Sequence, residues 1–575
     1  MSKSFAILRP HLVRRWHWYA FGILFLLVAN AGQLLLPQWI RQAIDHLQKG
    51  LPQNQDLKRI LLSLAITAIF IALGRVGWRF CLTGSSRRIE AELRDRLFAH
   101  LTILPPSFYQ QTTVGDLLAR ATNDLEAIRM AVGFALVAFT DAVFLSGSIL
   151  VILFAQNPLL TLIIVSPLPI ITLLILLFGG LISKLFKGVQ EAYSGLSTFV
   201  QEHLTANRVI KAFVLEDTKD KAFWEANTRF KEANMKLVRL WGFFFPLISA
   251  LSGLSALLLL LFGGQAVMEG KLSLGQFTAS LTYLTMLIWP LMSAGMVVNL
   301  LQRGAASLRR IAEILNTAPG ITSGTPALGR PERFDLSFRH LTWGYADPVL
   351  HDISLEIPQG TFLGVLGKVG SGKSSLFNLP PRLADPPPGT VFLNGKDIRD
   401  YDLKALRNCF ALVPQTTFLF SESIKDNLAF AAPDADEAFL RRMAEISTIH
   451  RDFDGFSQGW ETLIGERGVT LSGGQKQRLA LSRALAARAP VLVLDDALSA
   501  VDVETEENIV AHLRQERAGT TSILISHRVA TLRRCDWVIV LDAGRIVQAG
   551  PPRELLQQEG IFQEIAHLQH AGEEL

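Results

Sequence analysis

Apolar positions fall into two regimes along the chain. Over roughly the first 300 residues they form unbroken runs near 18–44, 60–82, 132–155, 159–182, 243–268 and 274–301. Each run is close to the ~20 residues a helix needs to cross about 30 Å of hydrocarbon. Only a helix satisfies its own backbone groups there, so six transmembrane helices are predicted. Pro37, Pro167, Pro169 and Pro290 lie inside these runs and are expected to kink them. The polar connections after the second and fourth runs contain few helix breakers, which predicts extensions of the membrane helices, with short elements at 114–129 and 206–220 on their tips. Past residue 331 the regime changes: short apolar strands alternate with helical segments, the pattern of an α/β nucleotide-binding domain. TAPGITSGTPALGRP (317–331) separates the two with linker chemistry. The expected organisation is a six-helix α-helical transmembrane domain (1–316), a linker (317–331) and an α/β P-loop domain (332–575).

Composition sharpens that division. Hydrophobic residues make up 49% of the 575, an excess that a bilayer hides most cheaply. The charge balance, 56 Lys+Arg against 51 Asp+Glu for a net +5, lacks the dense basic patch of a nucleic-acid binder. No nucleic-acid partner is therefore expected. Cys81, Cys409 and Cys535 match no metal or redox spacing and are expected as isolated thiols. The first run is long and lacks a small-residue cleavage pattern, so it is expected to be a retained anchor. Basic residues crowd the connections before the first span, after the second and between the fourth and fifth, while QNP (156–158) carries no charge. By the positive-inside rule both termini are expected in the cytoplasm, although Lys49, Lys58 and Arg59 sit on the opposite side.

The chemistry lies beyond the linker. Phe362–Leu366 forms an apolar strand that runs into G-x-x-x-x-G-K-S, with Gly367, Lys368, Val369, Gly370, Ser371, Gly372, Lys373, Ser374 and Ser375 followed by a helical segment. That is the context a phosphate-binding P-loop requires. Backbone N–H groups wrap the phosphates, Lys373 reaches the β/γ-phosphates of ATP and Ser374 reaches Mg²⁺. Pro380 and Pro381 should end the helix at about Asn378. A second apolar strand, VLVLD, ends on Asp495 as a Walker B aspartate does, positioned to hold Mg²⁺ through water. Asp496 follows, where a residue orients or deprotonates the attacking water.

Between these two motifs lies LSGGQ: Leu471, Ser472, Gly473, Gly474 and Gln475. With it the sequence resembles the ATP-binding cassette (ABC) transporters over essentially its whole length, since six spans followed by one cassette is the half-transporter layout of ABC exporters. The resemblance implies further roles. Tyr345 would stack on adenine. Gln415, in LVPQTTFLF, would be the Q-loop residue near the metal and the water, and His527 in LISHR the switch histidine. GERG (465–468) resembles the exporter X-loop, and Ser499, Ala500, Val501 and Asp502 resemble the D-loop. The helix tips would be coupling helices. Two cassettes are expected to close head to tail on two ATPs, each held by the P-loop of one chain and LSGGQ of the other. Closure turns the membrane helices outward and hydrolysis resets them.

At position 496 active cassettes of this family usually carry Glu, whereas here it is Asp. The side chain is one methylene shorter, so the carboxylate stops roughly 1.5 Å short, and misplacement of that order costs about 10²-fold in rate. Exporters with this substitution resemble asymmetric heterodimers in which one ATP site is slow. The expectation is a second half-transporter chain that supplies the Glu, with this chain's LSGGQ completing the working site. The cargo is expected to be hydrophobic or amphiphilic, drugs or lipids, moved across the cell membrane. Two alternatives stay open: a homodimeric exporter or lipid flippase with Asp496 as the working base, and an ATP-gated channel or sensor. No regulatory insertion precedes the cassette, which weighs against the gated channel.

Overall fold

The structure is a computed structural model that describes residues 2–48, 54–345, 347–456, 458–465 and 471–573. Lys49, and residues 466–468 of the GERG stretch, lie outside them. The chain divides into two compact units, Met1–Thr102 with Thr113–Thr317, and Ile103–Thr112 with Ala318–Leu575.

In the first unit a short helix α1 (Ser2–Arg14) leads into six long rods. These are α2 (Trp16–Gln48), α3 (Leu57–Leu101), α4 (Val114–Gln156), α5 (Pro158–Thr205), α6 (Glu216–Met268) and α7 (Leu274–Leu315), each long and apolar enough to cross a membrane. The rods outrun the apolar stretches, as the polar connections suggested. Along the extension of α3, Ile89, Leu93 and Leu97 recur every fourth residue and are fully buried, so a polar stretch still keeps one packed face. Pro37 and Pro290 sit inside α2 and α7, whereas at Pro167 the helix is interrupted: one segment ends at Val165 and the next starts at Leu168. Further irregularity enters as π-helical turns at Arg79–Thr83, Arg120–Asp124, Asp141–Leu145 and Leu259–Gly263. Tyr283 is fully buried on α7; its hydroxyl donates to Leu34 O at 2.7 Å and accepts from Gln38 Nε2 at 3.0 Å.

One tip lies elsewhere than its sequence suggested. Residues 114–129 do not form a separate element: Thr113 caps Val114 by accepting from Asp116 N–H at 3.3 Å, and the helix runs on into the third span. The short element is Pro106–Gln111, which starts on a proline at its first turn. The second tip, Asn207–Ala212, falls within 206–220.

The second unit holds ten strands among the described residues: β1 (Leu336–Gly344), β2 (Pro348–Ile357), β3 (Phe362–Gly367), β4 (Val391–Leu393), β5 (Lys396–Asp397), β6 (Phe410–Val413), β7 (Val491–Asp495), β8 (Thr521–Ile525), β9 (Trp537–Asp542) and β10 (Arg545–Gly550). They make an antiparallel sheet ordered β2-β1-β4-β5 and a six-stranded sheet ordered β10-β9-β3-β8-β7-β6. In the larger sheet β9, β3, β8, β7 and β6 run parallel. Every residue of β3, β7 and β8 is buried, as strands covered on both faces require. Segment 317–331 is pinned: Leu328 N–H donates to Asp400 O at 2.9 Å, and buried Arg382 donates to Thr322 O at 2.9 Å. The prolines before Arg382 thus have a structural use. The P-loop helix α8 (Lys373–Asn378) stops where they begin, and the chain turns to seat Arg382 on Asp385 at 2.7 Å.

Candidate functional site

β3 delivers the P-loop from the middle of the parallel sheet. Gly370 and Gly372 adopt left-handed backbone angles, φ +84° and +95°, which L side chains avoid. A Cβ at Gly372 would stand 2.7 Å from Leu350 Cδ2, so glycine is required there twice over. Lys368, Val369 and Gly370 are exposed at the tip of the loop. Lys373 is only 8% exposed, and its ammonium donates to Gly367 O at 2.7 Å and Lys368 O at 2.8 Å. Burial lowers its pKa, an effect Asp495 and Asp496 oppose. Two carbonyls are weak partners for a buried cation, which leaves it well suited to an anion. The buried Ser371 hydroxyl has no hydrogen-bond partner among the described residues.

Asp495 closes β7, 9% exposed. Burial pushes its pKa up, and a hydrogen bond from the Ser374 side chain pulls it the other way, as do Lys373 and His527. A hydroxyl beside a buried carboxylate is the hard-oxygen donor pair that Mg²⁺ favours. No group of three or more His, Cys, Asp or Glu side chains capable of holding a metal occurs among the described residues, and a Mg²⁺ carried in with phosphates needs none. The residues fit that ion.

Asp496 belongs to a different environment from its neighbour. Its φ is +49°, so the chain leaves the strand there in a left-handed turn. Asp is enriched in that region, which gives this position a backbone reason for a short side chain. Its N–H donates to Ile525 O at 3.1 Å, and its carbonyl accepts from Ser499 Oγ at 2.9 Å. Asp496 and His527 line one cavity of about 110 Å³ with Ser499, Glu506, Ser526 and Arg528. The structure therefore gathers Lys373, Ser374, Asp495, Asp496 and His527. Ser375 lies on α8 beside Ser374. Gln415 stands exposed two residues beyond β6, and Tyr345 is 59% exposed with its edge against Trp343, ring centroids 4.8 Å apart.

Leu471 is buried, and Ser472 caps the helix α9 (Gly473–Ala486) in a reciprocal box with Gln475. The Gln475 amide also donates to Asp452 at 2.8 Å. Among the described residues no hydrogen bond or ion pair joins Leu471–Gln475 to the P-loop of the same chain. The D-loop packs on α9 instead: Ala500 N–H donates to Gln477 Oε1 at 2.9 Å and Gln477 Nε2 donates to Ser499 Oγ at 3.0 Å. Asp502 caps the helix α10 (Val503–Glu516), accepting from Thr505 N–H at 2.9 Å.

Three residues of this network escaped sequence reasoning: Gln477, Glu506 and Arg528. Arg528 follows His527, pairs with buried Glu506 and donates to Val501 O at 3.0 Å, tying switch and D-loop together. Thr531 donates to the other Glu506 oxygen at 2.6 Å. Gln477 lies two residues past LSGGQ and Arg528 follows His527, which was the available signal for those two; Glu506 had none.

Comparison with known proteins places this geometry. Residues 19–291 match the ABC transporter transmembrane region, and residues 350–499 match the ABC transporter domain. The multidrug resistance-like ATP-binding protein MdlA of Escherichia coli (strain K12) is 33% identical over 571 residues, covering 99% of this chain and 97% of that protein. An ATP-dependent lipid A-core flippase of Syntrophus aciditrophicus (strain SB) is 30% identical over 98% of this chain and 93% of its own length. The solved structure of a bacterial Atm1-family ABC exporter with ATP bound superposes with a TM-score of 0.78 at 25% identity, over 98% of this chain and 99% of that one.

Proposed function

Because the chain belongs to the ABC transporters, a multi-pass membrane protein whose ATP-binding domain couples ATP hydrolysis to export, we propose that it is the slow-site half of a heterodimeric exporter of amphiphilic compounds. One observation carries this reading: position 496 holds Asp while the LSGGQ helix is capped and bolted to the D-loop. The chain is built to complete a partner's ATP site better than its own.

Tyr345 takes adenine. The P-loop N–H groups and Lys373 take the phosphates. Ser374, Asp495 and Gln415 would hold Mg²⁺, which would offset the charge that develops on the phosphate oxygens. Asp496 addresses the water but falls short, so His527 and Gln415 flank a site that binds ATP and turns it over slowly. Across the closed interface Ser472, Gly473 and Gln475 contact the partner's ATP. Both termini and the cassette lie in the cytoplasm, with residues 1–316 as the membrane domain and 332–575 as the cassette. The relatives named for multidrug resistance and lipid A-core flipping support a hydrophobic or amphiphilic cargo.

Native mass spectrometry of the complex purified through a tag on this chain tests the pairing. The expected result is this chain with a second, different half-transporter. A single species of twice its 63.5 kDa contradicts the pairing and makes the homodimer, with Asp496 as a working base, the better reading.

A further inference from the structure

Within the transmembrane unit a cavity of about 600 Å³ lies between α2, α3 and α7. That volume suits a drug-sized or acyl-bearing ligand. Leu36, Ile71 and Met286 give it an aliphatic wall, Gln33 and Thr282 add neutral polar groups, and Arg75 is its one charge. No carboxylate lines it.

Arg75 is deep. Its neighbour Gly74 packs on α2 at the level of Phe25 and Ala29. Phe25 is nine residues along α2 from the exposed Trp16, at ~1.5 Å per residue about 14 Å. Tryptophan of that kind marks a membrane interface, so Arg75 stands well inside the span. An arginine at that depth is costly and is kept where it meets a cavity or a partner.

Among the described residues no ion pair within 4 Å includes Arg75. Asp141, in the π-turn of α4, accepts instead from Asn30 Nδ2 at 2.8 Å. The intramembrane aspartate is thus held by an amide, and the guanidinium fork faces the cavity with its donors available to a carboxylate or phosphate.

We propose that this cavity binds acidic amphiphiles, Arg75 receiving the phosphate or carboxylate and the Leu36–Ile71–Met286 wall taking the hydrocarbon. The proposal rests on the export reading above and narrows its cargo. With the start of α2 on the cytoplasmic side, Arg75 sits at the cavity's cytoplasmic end, near the midplane, and the aliphatic wall at Leu36 lies ~30 Å along α2 from Trp16, toward the outer face.

The test measures binding of radiolabelled dodecyl phosphate to the purified full transporter in phosphatidylcholine nanodiscs, with dodecyltrimethylammonium as the cation of equal chain length. Dodecyl phosphate should bind more tightly, Arg75→Gln should weaken it at least about tenfold, and Arg75→Lys should recover most of the loss. Ala72→Trp, which fills the cavity, should block both probes. Equal binding of the two probes, or phosphate binding indifferent to Arg75→Gln, overturns the proposal. Competition by dioleoyl phosphatidic acid in the disc identifies a lipid source, and its failure beside dodecyl phosphate binding through Arg75 identifies a free amphiphile. ATP-driven dye uptake into inverted vesicles separates the two readings. Uptake of a cationic dye without any Arg75 dependence of phosphate binding sinks this site alone. Arg75-dependent binding without ATP-driven uptake of any amphiphile sinks the export reading alone.

Discussion

Substituting Gly474 by alanine is the smallest change that should break the contact between signature helix and D-loop. A Cβ at Gly474 would stand 2.8 Å from Ala500 O, a backbone atom; at neighbouring Gly473 it would stand 3.2 Å from the Ala500 Cβ. Carbon contacts settle at about 3.5–4.0 Å, so the shortfall at Gly473 is a few tenths of an ångström, whereas the one at Gly474 is deeper and falls on a carbonyl. Gly474→Ala therefore drives the D-loop off α9, and the bond from Ala500 N–H to Gln477, 2.9 Å long, is the first to stretch. Overpacking of this kind costs about 1–3 kcal/mol, and a strained buried hydrogen bond adds roughly 1. At about 2–4 °C per kcal/mol for a domain of 150–250 residues, the cassette should melt several degrees lower. Differential scanning fluorimetry of the purified transporter, read beside its ATPase rate, measures both. Gly474→Ala should lose stability and most turnover, while Gly473→Ala keeps its melting temperature to within a degree or two. Equal melting temperatures for the two variants, or a worse Gly473→Ala, would refute the reasoning.

Tyr345→Ala should loosen ATP by about 1–2 kcal/mol, in line with aromatic pair energies, and leave the melting temperature alone, because the ring is mostly exposed; a stability loss with unchanged ATP affinity makes it a packing residue. Mg²⁺-dependent nucleotide binding should weaken as pH falls, and should do so at a higher pH than an ordinary aspartate dictates. The sign follows from burial, which raises the Asp495 pKa, so the proton displaces the metal sooner. A Mg²⁺ titration between pH 8 and 5 reads this; Asp495→Asn should weaken Mg²⁺ at every pH and flatten the profile.

The spans were legible because a bilayer tolerates few sequences, and the P-loop because phosphate chemistry demands glycines at fixed positions such as Gly372. The tip at Pro106–Gln111 was not, since PSFYQQ is too short for periodicity and its neighbour 114–129 is equally polar. Asp496 was legible as an aspartate at the end of β7, but not as a left-handed residue, which depends on where β7 must turn. The Glu506–Arg528 pair stayed hidden because the fold brings helix α10 against the segment after β8, and neither residue alone marks a partner. Arg75 falls inside the second apolar run, 60–82, and only the structure shows that it lines a cavity there.

The central claim is that this chain's own ATP site contributes little to turnover and its LSGGQ contributes much. The ATPase rate of the transporter purified through this chain, with and without Asp496→Ala, tests it most directly. The account predicts a rate within about twofold of the unaltered transporter, because a base already misplaced costs little to remove. A fall of about 10²–10⁴-fold, as expected when a working general base is lost, would contradict it.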